Sequence, residues 1–260
     1  MKKVLFILAI IACVGCQSEY QKLLKSDDYE AVYNGAVKYF EAKDYYKSYE
    51  LLEKALPAYR LTEKGENITM MLAKSYYEEQ DNLMAAYYFE RFVLTYPTST
   101  QLDYAYFYIA KCYYNISPVV TLDQTYTEKA IQSFQNYINK FPQGAYIKES
   151  NECIGELRSK LEEKAYNNSK IFFNLEDYKA AVTALKNCLK QYPDSKYREE
   201  LLYLTLRSSF LLAENSVESK KEERYDMAID DYHAYIDEYP NGQWSKDAEK
   251  IFLQIKKRTH

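Results

Sequence analysis

Side chains that perform acid–base or metal chemistry are scarce in this sequence of 260 residues. It has two histidines, His233 and His260, and neither belongs to a metal-binding or protease motif. The acidic pairs Asp27–Asp28 and Asp230–Asp231 are adjacent in sequence, so on a helix their carboxylates diverge by about 100° and cannot act together. No glycine-rich phosphate loop occurs among the six glycines. We therefore predict that the protein is not an enzyme and binds no metal.

Cysteine offers a different chemistry at the N-terminus. Two lysines precede an apolar run over residues 4–14, which fits a signal peptide and is too short to cross a bilayer. The run ends in Cys13-Val14-Gly15-Cys16, which resembles a bacterial lipobox, where the cysteine after a small residue is lipidated. Residues 1–15 are therefore predicted to be the signal peptide and 16–26 a lipidated leader.

Acyl chains on Cys16 would anchor the protein to a membrane, and this covalent lipid is the sole cofactor that we predict. Gln17 follows Cys16, where an aspartate would retain many Gram-negative lipoproteins in the inner membrane. We expect the outer membrane, on its periplasmic face. Two alternatives remain open: lipidation of Cys13, or an ordinary secretory signal in which Cys16 is incidental.

Composition narrows the remaining possibilities. A formal charge of −4 does not favour nucleic-acid binding. Six glycines and six prolines are too few for the many turns of a β-sandwich or barrel, so helices with short connections are expected. Cys112, Cys153 and Cys188 cannot all pair and lack a C-x-x-C spacing, so we interpret each as a small buried apolar residue.

The elements that must carry any binding surface are repeats. Four segments end in an aromatic residue, proline, any residue and a small residue, at Pro97, Pro142, Pro193 and Pro240. An alanine stands twelve residues before each proline, and apolar residues follow it at steps of four and eight, on one helical face. The alanines are Ala85, Ala130, Ala181 and Ala228, and Ser48 begins a fifth, partial copy in which Arg60 replaces the proline.

A second helix precedes each of these helices, again with a small residue, as at Ala36, Ala73 and Ala110. The pairing resembles the tetratricopeptide repeat, in which helix A packs on helix B through small residues. We predict an all-α fold, a tetratricopeptide-repeat α-α superhelix of about five repeats with a C-terminal capping helix. One domain, 27–258, would contain repeats near 28–62, 66–97, 99–142, 144–193 and 195–240 and the cap 243–258. Asp27, Ser99 and Ser195 are predicted helix N-caps.

A binding face is expected on the A helices, around their small residues. We take the positions three before, one after and four after each small residue as the concave surface. Phe40, Tyr77 and Tyr114 recur there at intervals of 37 residues, as do Lys74 and Lys111. Such a ladder would suit an extended peptide or its terminal carboxylate, whereas the alternative is that the rings pack between repeats. The predicted binding residues are Tyr33, Phe40, Met70, Lys74, Tyr77, Phe107, Lys111 and Tyr114.

The lipobox, a short leader from Ser18 to Ser26, five repeats and the Tyr-Pro-x-Ser punctuation together resemble the BamD family of outer-membrane β-barrel assembly lipoproteins. Two departures are Cys13 in the lipobox and Arg60 at the first proline position. The resemblance implies a non-enzymatic scaffold whose C-terminal repeats, near 196–258, dock on periplasmic domains of the barrel insertase. It also implies that the N-terminal repeats contact unfolded outer-membrane proteins.

Two other functions stay open from the sequence. One is a ligand-binding tetratricopeptide lipoprotein of the envelope that captures a glycan or a peptide, because aromatic rings can stack on sugars. The other is a scaffold for cell-wall or division proteins. The chain lacks the large inserts common in the first class and the sustained heptads often found in the second.

Overall fold

The computed structural model describes residues 18–258, and within that range it contains twelve α-helices and no strand. The predicted signal peptide and Cys16 lie outside the described residues. The helices are α1 Glu19–Lys25, α2 Tyr29–Glu41, α3 Tyr45–Tyr59, α4 Glu63–Glu78, α5 Asn82–Thr95, α6 Leu102–Asn115, α7 Thr125–Lys140, α8 Ile147–Asn174, α9 Tyr178–Gln191, α10 Arg198–Glu214, α11 Glu218–Glu238 and α12 Ser245–Arg258.

Small residues join the helices where the sequence predicted. The anchors are completely buried, so the backbones of paired helices approach closely. In the first repeat the Ser48 hydroxyl also donates a hydrogen bond of 3.1 Å to the carbonyl oxygen of Ala36 on the partner helix. The predicted all-α repeat fold is confirmed. The buried anchors are Ala36, Ser48, Ala73, Ala85, Ala110, Ala130, Ala181 and Ala228.

The described chain divides into two compact units, and the division falls within α8. The first unit contains residues 18–118 and 123–157, and the second contains 119–122 and 158–258. Each has its own buried core, formed around residues such as Leu51 and Phe89 in the first unit and Leu185 and Leu206 in the second. The grouping of 27–258 into one domain, with the repeat boundaries given above, stays a prediction.

Three of the five turns from helix A to helix B in residues 18–258 share a geometry that the sequence did not predict. Lys43, Gln80 and Glu176 each adopt a left-handed backbone, with φ of 60°, 63° and 60°. In the first such turn the amide of Asp44 donates to the carbonyl oxygen of Tyr39 at 2.9 Å, which satisfies the end of α2. Asp44 then caps α3, and aspartates cap α5 and α9 in the same way.

Three predicted N-caps were wrong. Asp28, not Asp27, caps α2, because its carboxylate accepts from the amides of Glu30 and Ala31 at 3.1 Å. Ser99 and Ser195 do not cap α6 and α10. Each hydroxyl accepts instead from the amide two residues later, at 3.0 Å, so it closes the proline turn before the helix begins.

The four proline turns fall into two kinds. The serine turns, after Pro97 and Pro193, use that serine hydroxyl to bind the amide four residues after the proline, on Gln101 or Tyr197. The glycine turns follow Pro142 and Pro240. They have glycine in place of the serine, and the equivalent amide is bound by a tyrosine hydroxyl from the preceding B helix.

In the first glycine turn, the Tyr137 hydroxyl accepts from the Tyr146 amide at 3.0 Å and donates to Asp103 at 2.7 Å. The second repeats this arrangement: the Tyr235 hydroxyl accepts from the Trp244 amide at 3.1 Å and donates to Glu199 at 3.0 Å. A Cβ atom on Gly144 or Gly242 would overlap the tyrosine hydroxyl and the carboxylate. Glycine thus leaves room for the phenol and the carboxylate where they lie, and any other residue would force them to shift.

Candidate functional site

Two of the predicted binding residues lie in the core. Met70 and Phe107 are each 2% exposed, and Phe107 stacks on Tyr146 with 4.2 Å between ring centroids. Both stand three residues before a buried alanine, and residues three apart share one helical face. In the second and third repeats this step therefore points into the protein, and these two side chains cannot present a binding surface in this structure.

The remaining aromatic residues of the predicted face are partly exposed, and each packs against a neighbouring ring. Phe40 meets Tyr45 edge-on at 5.5 Å, Tyr77 meets Tyr108 at 4.9 Å, and Tyr33 lies 6.1 Å from Tyr59. Tyr114 lies 6.3 Å from Phe134 and donates to Glu156, and this hydrogen bond with burial raises its pKa to about 12. These rings contribute to packing, and ligand binding by them stays a prediction.

The two predicted lysines have different surroundings. Lys111 forms an ion pair of 2.7 Å with Glu149 on α8. Burial, the largest influence, lowers the pKa of Lys111, but the hydrogen bond to Glu149 and the charge interactions with Cys153, Glu149 and Tyr77 together outweigh it, so the net pKa is raised. Lys74 lies over the Tyr104 ring, 4.5 Å from its centroid, and burial lowers its pKa. Among residues 18–258, no carboxylate lies within ion-pair distance of Lys74.

A third lysine at the equivalent step, Lys170, was missed because α8 is longer than the other A helices. It follows the buried Ser169 and pairs with Glu200 at 2.7 Å. Tyr104 stands thirty residues after Lys74, as Glu200 stands thirty after Lys170. A tyrosine thus replaces the acid, so Lys74 alone of these three lysines keeps an unbalanced positive charge within the described chain.

No other chemistry is assembled in the described part of the chain. No group of three or more histidine, cysteine or acidic side chains could hold a metal ion within residues 18–258. The thiols of Cys112, Cys153 and Cys188 are free and buried, as predicted, and burial raises the pKa of each. No described helix is long and apolar enough to span a membrane. His233 is exposed and lies against the rings of Tyr232 and Phe252.

Comparisons with known proteins agree with the family resemblance. Outer membrane protein assembly factor BamD of Rickettsia prowazekii is 25% identical over 259 residues, which covers 96% of this chain and 97% of that protein. The proteins of the same name from Pasteurella multocida and Caulobacter vibrioides are 22% and 20% identical. Those two alignments cover 75% and 62% of this chain and 77% and 50% of the relatives.

Two solved tetratricopeptide structures are similar in outline. One is the TPR2AB domain of yeast Sti1 in complex with pHSP90, with a TM-score of 0.40, 14% identity, and coverage of 88% of this chain and 98% of that one. The other is the TPR domain of P58(IPK), with a TM-score of 0.41, 15% identity, and coverage of 94% and 72%.

A family model described as outer membrane lipoprotein, YfiO, matches residues 25–223 and 172–259. Together these matches extend over almost all of the described residues, including both compact units. The resemblance drawn from the sequence is thereby confirmed, and the chain belongs to the YfiO family of outer membrane lipoproteins.

Proposed function

We propose that this chain is a non-enzymatic assembly factor for outer-membrane β-barrel proteins. The observation that carries the proposal is the alignment with an outer membrane protein assembly factor over 96% of the chain. Helical repeats support a scaffold role, because each repeat exposes a surface while its core holds the shape. The inventory of histidines and acidic pairs gives no nucleophile–base arrangement that would support catalysis.

We propose further that Cys16 carries the lipid and that the repeats lie on the periplasmic side of the outer membrane. In this arrangement the lipid confines the scaffold to the membrane where barrels are inserted. Confinement raises the effective concentration of weakly bound partners. The C-terminal repeats, near 196–258, would dock on the periplasmic domains of the barrel insertase, and the N-terminal repeats would contact unfolded barrel proteins.

The test of this function is a detergent-solubilised pull-down from the native envelope through a C-terminal tag, read by mass spectrometry. We expect a large β-barrel protein with periplasmic repeat domains in near-stoichiometric amount. Recovery of cell-wall or division proteins without that barrel would contradict the proposal. A bound oligosaccharide in the native preparation, again without the barrel, would favour the glycan-binding alternative.

The proposed contact with unfolded barrel proteins has a test of its own. Replacing Phe40 and Tyr77 by alanine should weaken binding of an unfolded barrel peptide, measured by fluorescence anisotropy, without loss of helicity. Unchanged affinity at unchanged helicity would contradict this placement.

The two lysines offer a matched pair for the same assay. Lys74 has no acidic partner in residues 18–258, whereas Glu149 already neutralises Lys111. Lys74→Met keeps the apolar stem and removes the charge, so it should weaken binding of an acidic or carboxylate-terminated peptide several-fold. Lys111→Met should weaken binding less. Equal losses for the two variants would show that the unbalanced charge is not used.

A further inference from the structure

The turn between α2 and α3, residues 38–47, is rich in aromatic rings and lysines. We call it the first hairpin tip. It contains four aromatic residues, three lysines and two acids, and Tyr46 is 51% exposed. Asp44 is paired with Lys47 at 2.5 Å, and Lys38 pairs with Glu19 of α1 at 2.9 Å, so these pairs neutralise one of the two acids and two of the three lysines. Lys43 is exposed at the left-handed position.

The equivalent tip of the second repeat, residues 75–84, has the opposite character. It contains Glu78, Glu79 and Asp81 and no lysine or arginine. Leu83 stands 37 residues after Tyr46 and has nearly the same exposure, 52%. The two tips therefore share a backbone geometry and one exposed apolar side chain, but they differ in charge and in aromatic content.

The start of α1 lies against the first hairpin tip. The Tyr20 ring meets Tyr39 at 5.9 Å, and the Lys47 ammonium lies 5.9 Å from the Tyr20 ring. The end of α1 lies away from the tip, where Lys54 donates to the carbonyl oxygen of Leu24 at 2.6 Å. Cys16 is two residues before Ser18, which accepts the cap bond of α1, and two residues reach at most about 7 Å.

We propose that the first hairpin tip lies in the headgroup region of the bilayer that holds the lipid of Cys16, with Tyr46 inserted and Lys43 contacting phosphates. This inference rests on the proposed lipid anchor and adds a direct protein–membrane contact to it. Tyrosine suits the interface because its ring is apolar and its hydroxyl is polar. Lysine keeps its charge at the headgroups while its stem lies on apolar surface. The contact sets which end of the first repeat faces the membrane.

The experiment uses tryptophan as a depth reporter in the mature chain. The chain has one tryptophan, so Trp244→Phe provides a silent background. Tyr46→Trp is the test variant, and Leu83→Trp is the matched control at the equivalent position of the acidic second tip. Cys16 is coupled to a maleimide lipid in vesicles of phosphatidylethanolamine and phosphatidylglycerol doped with brominated phosphatidylcholine. The three other thiols are buried and should not react.

We expect the fluorescence emission of the tryptophan at position 46 to shift to shorter wavelength and to be quenched by the brominated lipid. The emission of the tryptophan at position 83 should show neither change. Equal quenching at both positions, or at neither, would overturn the proposal. The chemical tether makes this result independent of lipidation in the cell. The proposed lipid anchor has a separate test, which is mass spectrometry of the protein from native membranes. Absence of acyl chains on Cys16 in that spectrum would contradict the anchor.

Discussion

The serine turns and the glycine turns perform one structural task with different atoms. In each, a hydroxyl binds the amide four residues after the proline, and so fixes the entry into the next helix. Serine supplies that hydroxyl locally after Pro97 and Pro193. In the turns after Pro142 and Pro240, a tyrosine of the preceding helix supplies the hydroxyl. The small residue of the turn is then glycine, because a side chain there would overlap the tyrosine hydroxyl. Two positions seven residues apart thus depend on each other.

The residue five before the proline follows the same division. It is Phe92 or Cys188 in the serine turns, neither of which carries a hydroxyl, and Tyr137 or Tyr235 in the glycine turns. Each turn therefore has a single hydroxyl that can bind the amide four residues after the proline. It belongs either to the serine two residues after the proline or to the tyrosine five residues before it. A small residue after the proline is a common requirement, but which small residue is allowed depends on contacts made by the B helix.

The largest effect should come from placing both hydroxyls in one turn. Gly144→Ser would drive a side chain into the Tyr137 hydroxyl and the Asp103 carboxylate, and overpacking of this kind costs about 1–3 kcal/mol. We expect the free energy of unfolding, measured in urea, to fall by an amount near the upper end of that range. Adding Tyr137→Phe converts the site into the Phe92–Ser99 arrangement and should recover more than half of the loss. If the losses of unfolding free energy from Gly144→Ser and Tyr137→Phe simply added in the double variant, the two positions would not depend on each other.

Removing only the tyrosine hydroxyl should have the next largest effect. Tyr137→Phe leaves the Tyr146 amide without its acceptor and removes the shorter of two hydrogen bonds to Asp103, which keeps a bond of 3.5 Å from the Ala145 amide; the change should cost about 1–2 kcal/mol. The variant also alters the response to alkali. Burial and the hydrogen bond to Asp103 raise the pKa of Tyr137 to about 12, above its ordinary value of 10.

The sign of the alkaline effect follows from that shift. Below pH 10 the phenol is protonated in both folded and unfolded states, and its contribution is complete. Between pH 10 and 12 the unfolded state ionises first, so the contribution is lost as pH rises through the folded pKa. The stability difference between wild type and Tyr137→Phe should therefore shrink across this window. A difference that stays constant up to pH 12 would contradict the assignment.

A smaller effect is expected at the second serine turn. The Ser195 hydroxyl donates to Glu162 at 2.6 Å and accepts from the Tyr197 amide at 3.0 Å. Ser195→Ala should cost about 1 kcal/mol in urea unfolding, since the Glu162 carboxylate still accepts from the Lys196 amide at 3.1 Å. Ser195→Thr, which keeps a hydroxyl, is the control and should lose less.

The smallest effect should be at Ser99, which makes the equivalent bond to the Gln101 amide at 3.0 Å but donates to no carboxylate that the structure records. Ser99→Ala should cost about 0.5 kcal/mol, at the low end for the loss of one hydrogen bond. Thermal unfolding of Ser99→Ala and Ser195→Ala side by side would rank the two serine turns. A larger loss at Ser99 would reverse the order expected from their contacts.

Much of the repeat fold could be predicted because it depends on spacing. The alanine twelve residues before each proline needs only helical periodicity, and all four alanines are buried as expected. The last helix could be predicted from the same periodicity. Ala248, Ile251 and Ile255 are buried on one side of α12, and Trp244 stacks on Tyr203 with 5.4 Å between ring centroids.

The candidate site was less predictable, because its properties depend on residues far along the chain. Lys74 and Lys111 occupy the same step in consecutive repeats, and nothing local distinguishes them. They differ in the residue that the next A helix places beside them, which is Tyr104 for Lys74 and Glu149 for Lys111. An insertion in the third repeat makes the sequence spacing of these two pairs unequal, so the correspondence is not evident from the sequence. The burial of Met70 and Phe107 could have been foreseen, since a residue three before a buried alanine lies on the same face.

The left-handed A-to-B turns have a consequence for how the chain reaches its final structure. The turn after α2 closes through bonds between residues three to five apart, and the Ser48–Ala36 contact spans only twelve residues. Such a hairpin has low contact order and can form quickly without any later part of the chain. If the protein is exported from its N-terminus, the first repeat can close while the remainder is still crossing the inner membrane. The segment nearest the proposed lipid would then be folded before the last repeats arrive.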